Sequence, residues 1–413
     1  MAIRDYPEYI STHDNYLYVD DVDKLVDTLL KKPYEECKVI AVDTETYYDE
    51  ELEGAVSRFI NGNPNNRPFC VTLYDGVNGY YISHDIDKLK RLFNCSKFKF
   101  VLHNHKYDRH MLANIKIEFD ISQLSDTMVM IHLIDEEFMC NTPSGIPKKS
   151  KKLKDLAYHF LGSDAHELED LVSEYRAIKA LHNRAEGKEG GKDSVSYKEV
   201  EELNRDLMKD YACADVEFTY KLYMIFVKEI LRQDLKKAYM IDMLASDAVY
   251  KMERRGILID KKYYEYLYEE YAGELGRIDA LIDNIVDMNG EFEGSFSVDS
   301  SKDIVKAFGN LGVVWAWFTD KKEARTDKKV LDTLVGYDSN PKISELATLI
   351  LERRDIQKIR DTFIKNMLDY CQADGRVHPD FNVCPNDFNS GSTRTGRLSS
   401  SNPKKIGALC SNV

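Results

Sequence analysis

Asp43 and Glu45 stand two residues apart where an aliphatic run ends, in KVIAVDTETYYDE, residues 38–50. Alternate residues of a strand share a face, so both carboxylates project together while Val42 and Thr44 point the other way. Like charges this close stay ionised only when a cation joins them; otherwise one takes up a proton. A bare DxE is nevertheless more often a solvated strand end than a site, because short motifs arise by chance. Two further stretches shift that balance. FVLHNHKYDRHML delivers Asn104 at the end of another strand and Asp108 four residues later, in the first turns of a helix. Acids near helix starts are common for dipole reasons alone. MKDYACADVEFTYKLY sets Tyr211 and Asp215 one turn apart on one helix face, a spacing that an ordinary amphipathic helix would also show.

The elements that must position these groups follow from periodicity. Residues 38–43 are β-rich, FCVTLYDG and GYYIS read as a hairpin around Asp75 to Gly79, and FKFVLHN ends a strand at Asn104. Helical spacing occurs in DKLKRLF, YDRHMLANI, DTMVMIHLI and LEDLVSEYRAIKALHNRA, and in one long helix from about Tyr197 to Leu235. Strands followed by flanking helices point to a three-layer α/β or α+β domain. NTPSGIPKKSKK and EGKEGGKDS read as surface loops, and PKKSKKLK as a solvated stretch that could touch single-stranded DNA. Beyond about residue 235 helices dominate, including YMIDMLASDAVYKMERRG and ISELATLILERRDIQKIRDTFIKNMLDY, with short β signals at SFSVD and GRVHPDFNV. VVWAWF reads as a packed strand. The expected division is therefore 1–234 and 235–413.

Composition bounds the answer. A chain of 413 residues exceeds what one core usually serves. Its eight cysteines form no CxxC pair, the usage of a reducing compartment, which argues against a zinc site. No stretch approaches the roughly 18 apolar residues of a membrane span, and MAIRDYPEYI lacks a signal peptide's apolar core. The net charge of −14 taken alone argues against a nucleic-acid partner. Acids gathered around metal ions count as negative although bound cations offset them, so the average misleads.

The order DxE, NxxxD, YxxxD resembles the three exonuclease motifs of the DEDD superfamily in its tyrosine-bearing branch. That resemblance implies a ribonuclease H-like mixed sheet flanked by helices, with SDTMVMIHLID and KKLKDLAYHFLG as the helical connection between the second and third motifs. It implies that Asp43, Glu45, Asp108 and Asp215 hold two divalent ions. Hard carboxylate oxygens make these Mg²⁺ or Mn²⁺ rather than zinc. Two such ions serve phosphodiester hydrolysis by activating water and relieving charge on the leaving 3′ oxygen. Tyr211, with an ordinary phenol pKa of about 10, orients that water rather than acting as base. Asn104 positions the 3′ nucleotide.

The second half resembles the mostly helical thumb of family A DNA polymerases, from ASDAVYKMERRGILID through LILERRDIQKIRDTFIKNML to DGRVHPDFN and STRTGRLSSSNP, which leads into the palm. From Asn389 onward there is no acid. Arg394, Thr395, Gly396, Arg397, Ser399 and Ser400 are there as contacts to phosphate, with close backbone approach at Gly396. Arg354 and Lys358, one turn apart, form either a duplex grip or an exposed salt-bridged face. After Pro403 the chain reads KKIGALCSNV where the family continues into palm and fingers.

The resemblance therefore implies the amino-terminal part of a phage-type family A polymerase, working in the host bacterial cytoplasm with no membrane partner. It implies proofreading 3′-5′ exonuclease activity on single-stranded 3′ ends and on primer-template duplex. DNA polymerase activity is not expected from this chain alone. Two alternatives stay open: a non-autonomous subunit needing a separate palm-and-fingers polypeptide, and a ribonuclease D-like RNA trimmer.

Overall fold

A computed structural model describes residues 5–33, 38–49, 54–55, 66–162, 165–188, 191, 195–287, 296–337, 340–384 and 398–400. The first half runs β1 (Tyr16–Tyr18), α1 (Val22–Lys31), β2 (Val39–Thr46), β3 (Pro68–Tyr74), β4 (Gly79–Ile82), β5 (Lys99–Leu102), α2 (His105–Asn114), β6 (Leu124–Asp126) and α3 (Thr127–Ile134). The six strands form one mixed sheet in the order β1-β4-β3-β2-β5-β6, in which β3 runs antiparallel to both of its neighbours and the other pairings are parallel. This is the ribonuclease H-like arrangement, a mixed sheet flanked by helices. The β3–β4 hairpin turns on Asp75, whose carboxylate accepts from the amides of Val77 and Asn78.

Alternation along β2 sorts its side chains between two cores. Ile40 and Val42 pack with Val71, Leu73, Phe100 and α1 on one face, and Ala41 packs with Tyr74 and Val216 on the other. The helices that follow are α4 (Leu153–Leu161), α5 (Glu167–Ala185), α6 (Tyr197–Leu203), α7 (Arg205–Arg232) and α8 (Lys236–Arg255). The long helix expected from Tyr197 is interrupted at Asn204. Its extended backbone breaks the helix, and its side chain then caps α7 by accepting from Leu207 N at 2.9 Å.

Contacts divide the described residues into two units. One holds those up to Gly256 together with those from His378 onward, and the other is Ile257–Val377. The boundary expected near 235 therefore differs from this grouping: α8 stays with the first unit. The reason lies in α2, whose Arg109 and His110 pair with Asp247 and Glu253 of α8 at 2.8 and 2.7 Å, while Met243 enters the sheet's core. Gly256 ends α8 with φ +65°, a backbone angle that suits glycine. In the same unit Phe381–Asn382 (β9) pairs antiparallel with Ser399–Ser400 (β10).

The second unit comprises β7 (Ile257–Leu258), α9 (Lys261–Asp287), α10 (Ser301–Asn310), α11 (Lys328–Leu334), α12 (Pro341–Lys358), a π-helical turn at Ile359–Ile364, α13 (Lys365–Asp369) and β8 (Arg376–Val377). Ile278, Ile282, Phe308, Leu331, Leu346 and Ile350 form its core. VVWAWF is not a strand; Trp315 and Trp317 pack against that core while Val314 is exposed. SFSVD contributes a turn rather than a strand among its described residues. No described helix is long and apolar enough to cross a membrane.

Candidate active site

Parallel pairing of β2 with β5 stops at Ala41↔Val101, so the last residues of β2 run on past that neighbour, paired only with β3. Asp43 and Glu45 sit on this overhang, on the face of Ala41 that α7 covers. A register shift in the β2–β3 pairing follows directly after Glu45, a kind of irregularity that often re-aims side chains beside sites. From α7, Asp215 meets the pair: one carboxylate oxygen from each of Asp43, Glu45 and Asp215 lies within 4.8 Å of the others. Tyr211, one turn earlier, is 7% exposed and stacks on Tyr197 with ring centroids 5.6 Å apart.

Asp108 reaches the cluster from the opposite side of β2. Its Oδ1 accepts from Thr44 N at 3.1 Å and from Thr44 Oγ1 at 2.7 Å, and the residue is 3% exposed. Thr44 faces away from Asp43 and Glu45, as strand alternation requires, which is why Asp108 borders the group of three without belonging to it. The turn into α2 is made at Asn104, in the left-handed region at φ 66°. Asp126 holds that turn by accepting from Asn104 N at 3.2 Å and from His105 N and Nδ1 at 2.7 Å each. Tyr107 OH and Thr46 Oγ1, 2.8 Å apart, tie α2 to the end of β2.

Among the described residues, one cation lies among these acids. Lys154, on the first turn of α4, pairs its ammonium with Asp215 Oδ1 and lies 4.4 Å from the centre of the Tyr211 ring. Burial pulls Lys154 down to about 8, against the opposing charges of Glu169, Glu45 and Asp43. Burial pushes Asp43 up to about 6, against the pull of Lys154 and the Thr44 amide. Burial and then the Asp43 charge push Glu45 and Asp108 well above the usual carboxylate range. Tyr211 is held well above the ordinary phenol value by burial, Tyr197 and Glu45, so it is a neutral hydroxyl. A single ammonium undercompensates four acids, and the donors are all oxygen; this set fits a divalent cation.

Two family models match the chain in succession: 3′-5′ exonuclease over residues 16–231 and DNA polymerase family A over residues 262–405. The first spans more than half of the sequence. The chain belongs to the 3′-5′ exonuclease family. Its exonuclease region is followed by a family A polymerase region, and similar proteins include a DNA polymerase DpoZ of Acinetobacter phage SH-Ab 15497, 28% identical over 82% of this chain and 52% of the relative. A DNA polymerase DpoZ of Vibrio phage phiVC8 is 24% identical, over 81% of this chain and 51% of that relative. A DNA polymerase I of Borreliella burgdorferi is 25% identical over 93% and 36%. The chain thus spans about half the length, or less, of these relatives. The solved POL domain of Pol1 from M. smegmatis, in complex with DNA primer-template and dNTP, shares the fold at a TM-score of 0.61 and 17% identity, covering 93% of this chain and 54% of that one.

Arg354 donates Nη1 to Thr326 O at 2.5 Å and Nη2 to Val298 O at 2.9 Å, so its guanidinium fastens loops of the second unit. Lys358 is the last residue of α12, beside Asp299 and Asp361. Arg394, Thr395, Gly396 and Arg397 lie outside the described residues, and Ser399 and Ser400 form the short β10. PKKSKKLK is solvated only in part: Pro147, Lys148 and Lys152 are exposed, while Ser150 and Lys151 are 1% exposed and Lys154 7%. Lys154 and Asp126 both escaped sequence reasoning. A signal for Asp126 was present, an acid directly before the apolar run TMVMIHLI, which is a helix N-cap pattern. Lys154 carried none, since its run of lysines reads as solvent-exposed.

Proposed function

We propose that the chain is a metal-dependent 3′-5′ exodeoxyribonuclease that trims DNA from its 3′ end, as the proofreading part of a family A DNA polymerase. The convergence of the Asp43, Glu45 and Asp215 oxygens within 4.8 Å, with Asp108 alongside, carries this reading. These carboxylates would hold two ions of Mg²⁺ or Mn²⁺, which supply an acidified water and relief of charge on the leaving oxygen when bound. Tyr211 stays protonated and offers its hydroxyl to orient the attacking water, with Tyr197 stacked behind it to fix the ring. Thr44 fixes the Asp108 carboxylate, and Asp126 fixes the turn that presents Asn104 toward the 3′ nucleotide.

Residues 257–377 serve as a thumb that holds the duplex, with Lys358 as a phosphate contact and Arg394, Arg397 and their neighbours as further ones. The resemblance of 262–405 to family A polymerases supports this assignment. Polymerisation itself is assigned to palm and fingers, on this polypeptide or a partner. The deciding experiment is Asp43→Ala combined with Glu45→Ala: Mg²⁺-dependent digestion of single-stranded DNA disappears while circular dichroism and melting show a folded protein. Retained digestion refutes the assignment, and RNA degraded faster than DNA by the unaltered protein favours an RNA trimmer instead.

A further inference from the structure

Lys154 occupies a place that nothing in the exonuclease motifs requires. Its ammonium pairs with Asp215, the carboxylate that closes the three-acid cluster, and it lies 4.4 Å from the Tyr211 ring centre and 5.6 Å from that of Phe218. α4 is set firmly enough to aim it. Ser150 donates to Asp155 at 2.5 Å across the turn that starts the helix, and Leu156 and Ala157 are fully buried. We propose that Lys154 is the resident counter-ion of the carboxylate cluster, and that a divalent cation binds there only by displacing its ammonium from Asp215 toward Glu169. This rests on reading the cluster as a metal site.

The argument is electrostatic and spatial. A divalent ion held by Asp215 would share that carboxylate with the ammonium, setting two positive charges side by side in a largely buried site. Repulsion between them is screened far less there than in water, so it opposes binding of the ion while the ammonium stays. Lysine's four-carbon stem can relieve it, because the head is a point charge on a flexible chain rather than a fixed fork. Glu169, on α5, supplies the destination: its carboxylate attracts the Lys154 ammonium, and its side chain, 43% exposed, has room for that ammonium beside its present partner, His166 Nδ1 at 3.2 Å. Lys154 thus steadies the acids when no metal is bound and sets the metal concentration at which the site fills.

The test is Mn²⁺ binding to the full chain, followed by electron paramagnetic resonance, in the unaltered protein, in Lys154→Met and in Lys154→Arg. Removing the charge in Lys154→Met should tighten Mn²⁺ binding roughly tenfold or more. Lys154→Arg keeps the charge and grips Asp215 with a planar fork, so binding should weaken. Unchanged or weaker binding by Lys154→Met overturns the proposal. Should Lys154→Met fail to fold, the Arg variant decides: unchanged or tighter binding there overturns it equally. Asp43→Ala with Glu45→Ala separates the two readings, since Mn²⁺ binding untouched by that pair means the cluster is not a metal site, whatever Lys154 does.

Discussion

Asp126 accepts hydrogen bonds from Asn104 and His105 on one side and, on the other, caps α3 through Met128 N at 2.7 Å and Val129 N at 3.2 Å. Burial alone would push it up, but the His105 hydrogen bond and the charges of His105 and His103 outweigh burial and hold it at about 2. A depressed folded value contributes stability that is fully present above the unfolded value of about 3.9 and is lost as pH falls toward 2. Asp126→Asn should therefore cost about 2 kcal/mol at pH 7, and the pH dependence of stability between about 4 and 2 should flatten, as urea titrations at several pH values would show. Thr44→Val leaves Asp108 only the amide, and exonuclease turnover should fall about tenfold with the melting temperature little changed. Arg354→Ala should lower urea stability by about 1–3 kcal/mol, because two carbonyls lose their donor. Lys358→Ala should leave stability alone and weaken duplex binding in a salt-dependent way.

At the scale of elements, the site depends on how closely α7 approaches the sheet. Gly79 of β4 makes that approach possible: a Cβ there would stand 2.9 Å from Tyr16 Cδ1 and 3.1 Å from Cys213 Cβ. Cys213 lies between Tyr211 and Asp215 on α7. Gly79→Ala should thus cost about 1–3 kcal/mol by overpacking and reduce exonuclease activity as α7 is pushed outward. A Gly79→Ala protein with unaltered melting and turnover would contradict this account. The break at Asn204 acts at the same scale. There the chain leaves α6 and restarts as α7, the helix that packs on the sheet.

Across the whole molecule, segments distant in sequence converge on Glu253. This buried carboxylate accepts from Lys106, from His110 Nε2 at 2.7 Å and from Phe381 N at 2.7 Å, while His378 Nδ1 lies 2.7 Å from the backbone carbonyl of Glu253. Helix α2, which carries Asp108, is thereby held from behind by α8 and by the chain returning at residues 378–384. Glu253→Ala should cost about 3–5 kcal/mol, since it removes the buried carboxylate that Lys106, His110 and the Phe381 amide share. Its carboxyl is held below the usual range, with Lys106 and His110 outweighing burial, so this contribution fades on acidification. Differential scanning calorimetry at pH 7 reads the loss directly.

The sequence by itself determined the strand carrying Asp43 and Glu45, the helix carrying Tyr211 and Asp215, and the sharing of one face within each pair. Periods of two and about four residues are local, so spacing alone specifies them. It also carried the family motifs and, through them, the expectation of a mixed sheet. Only the tertiary structure decided that α8 belongs with the first unit, that Asp126 organises the Asn104 turn, that Arg354 is engaged by carbonyls, and that Lys154 lies among the acids. Each of these turns on a partner far away in the chain. A lysine in a basic run and an arginine on a helix look alike in sequence whether solvent or a buried carboxylate receives them, because the charge is local while burial is a property of the packed fold.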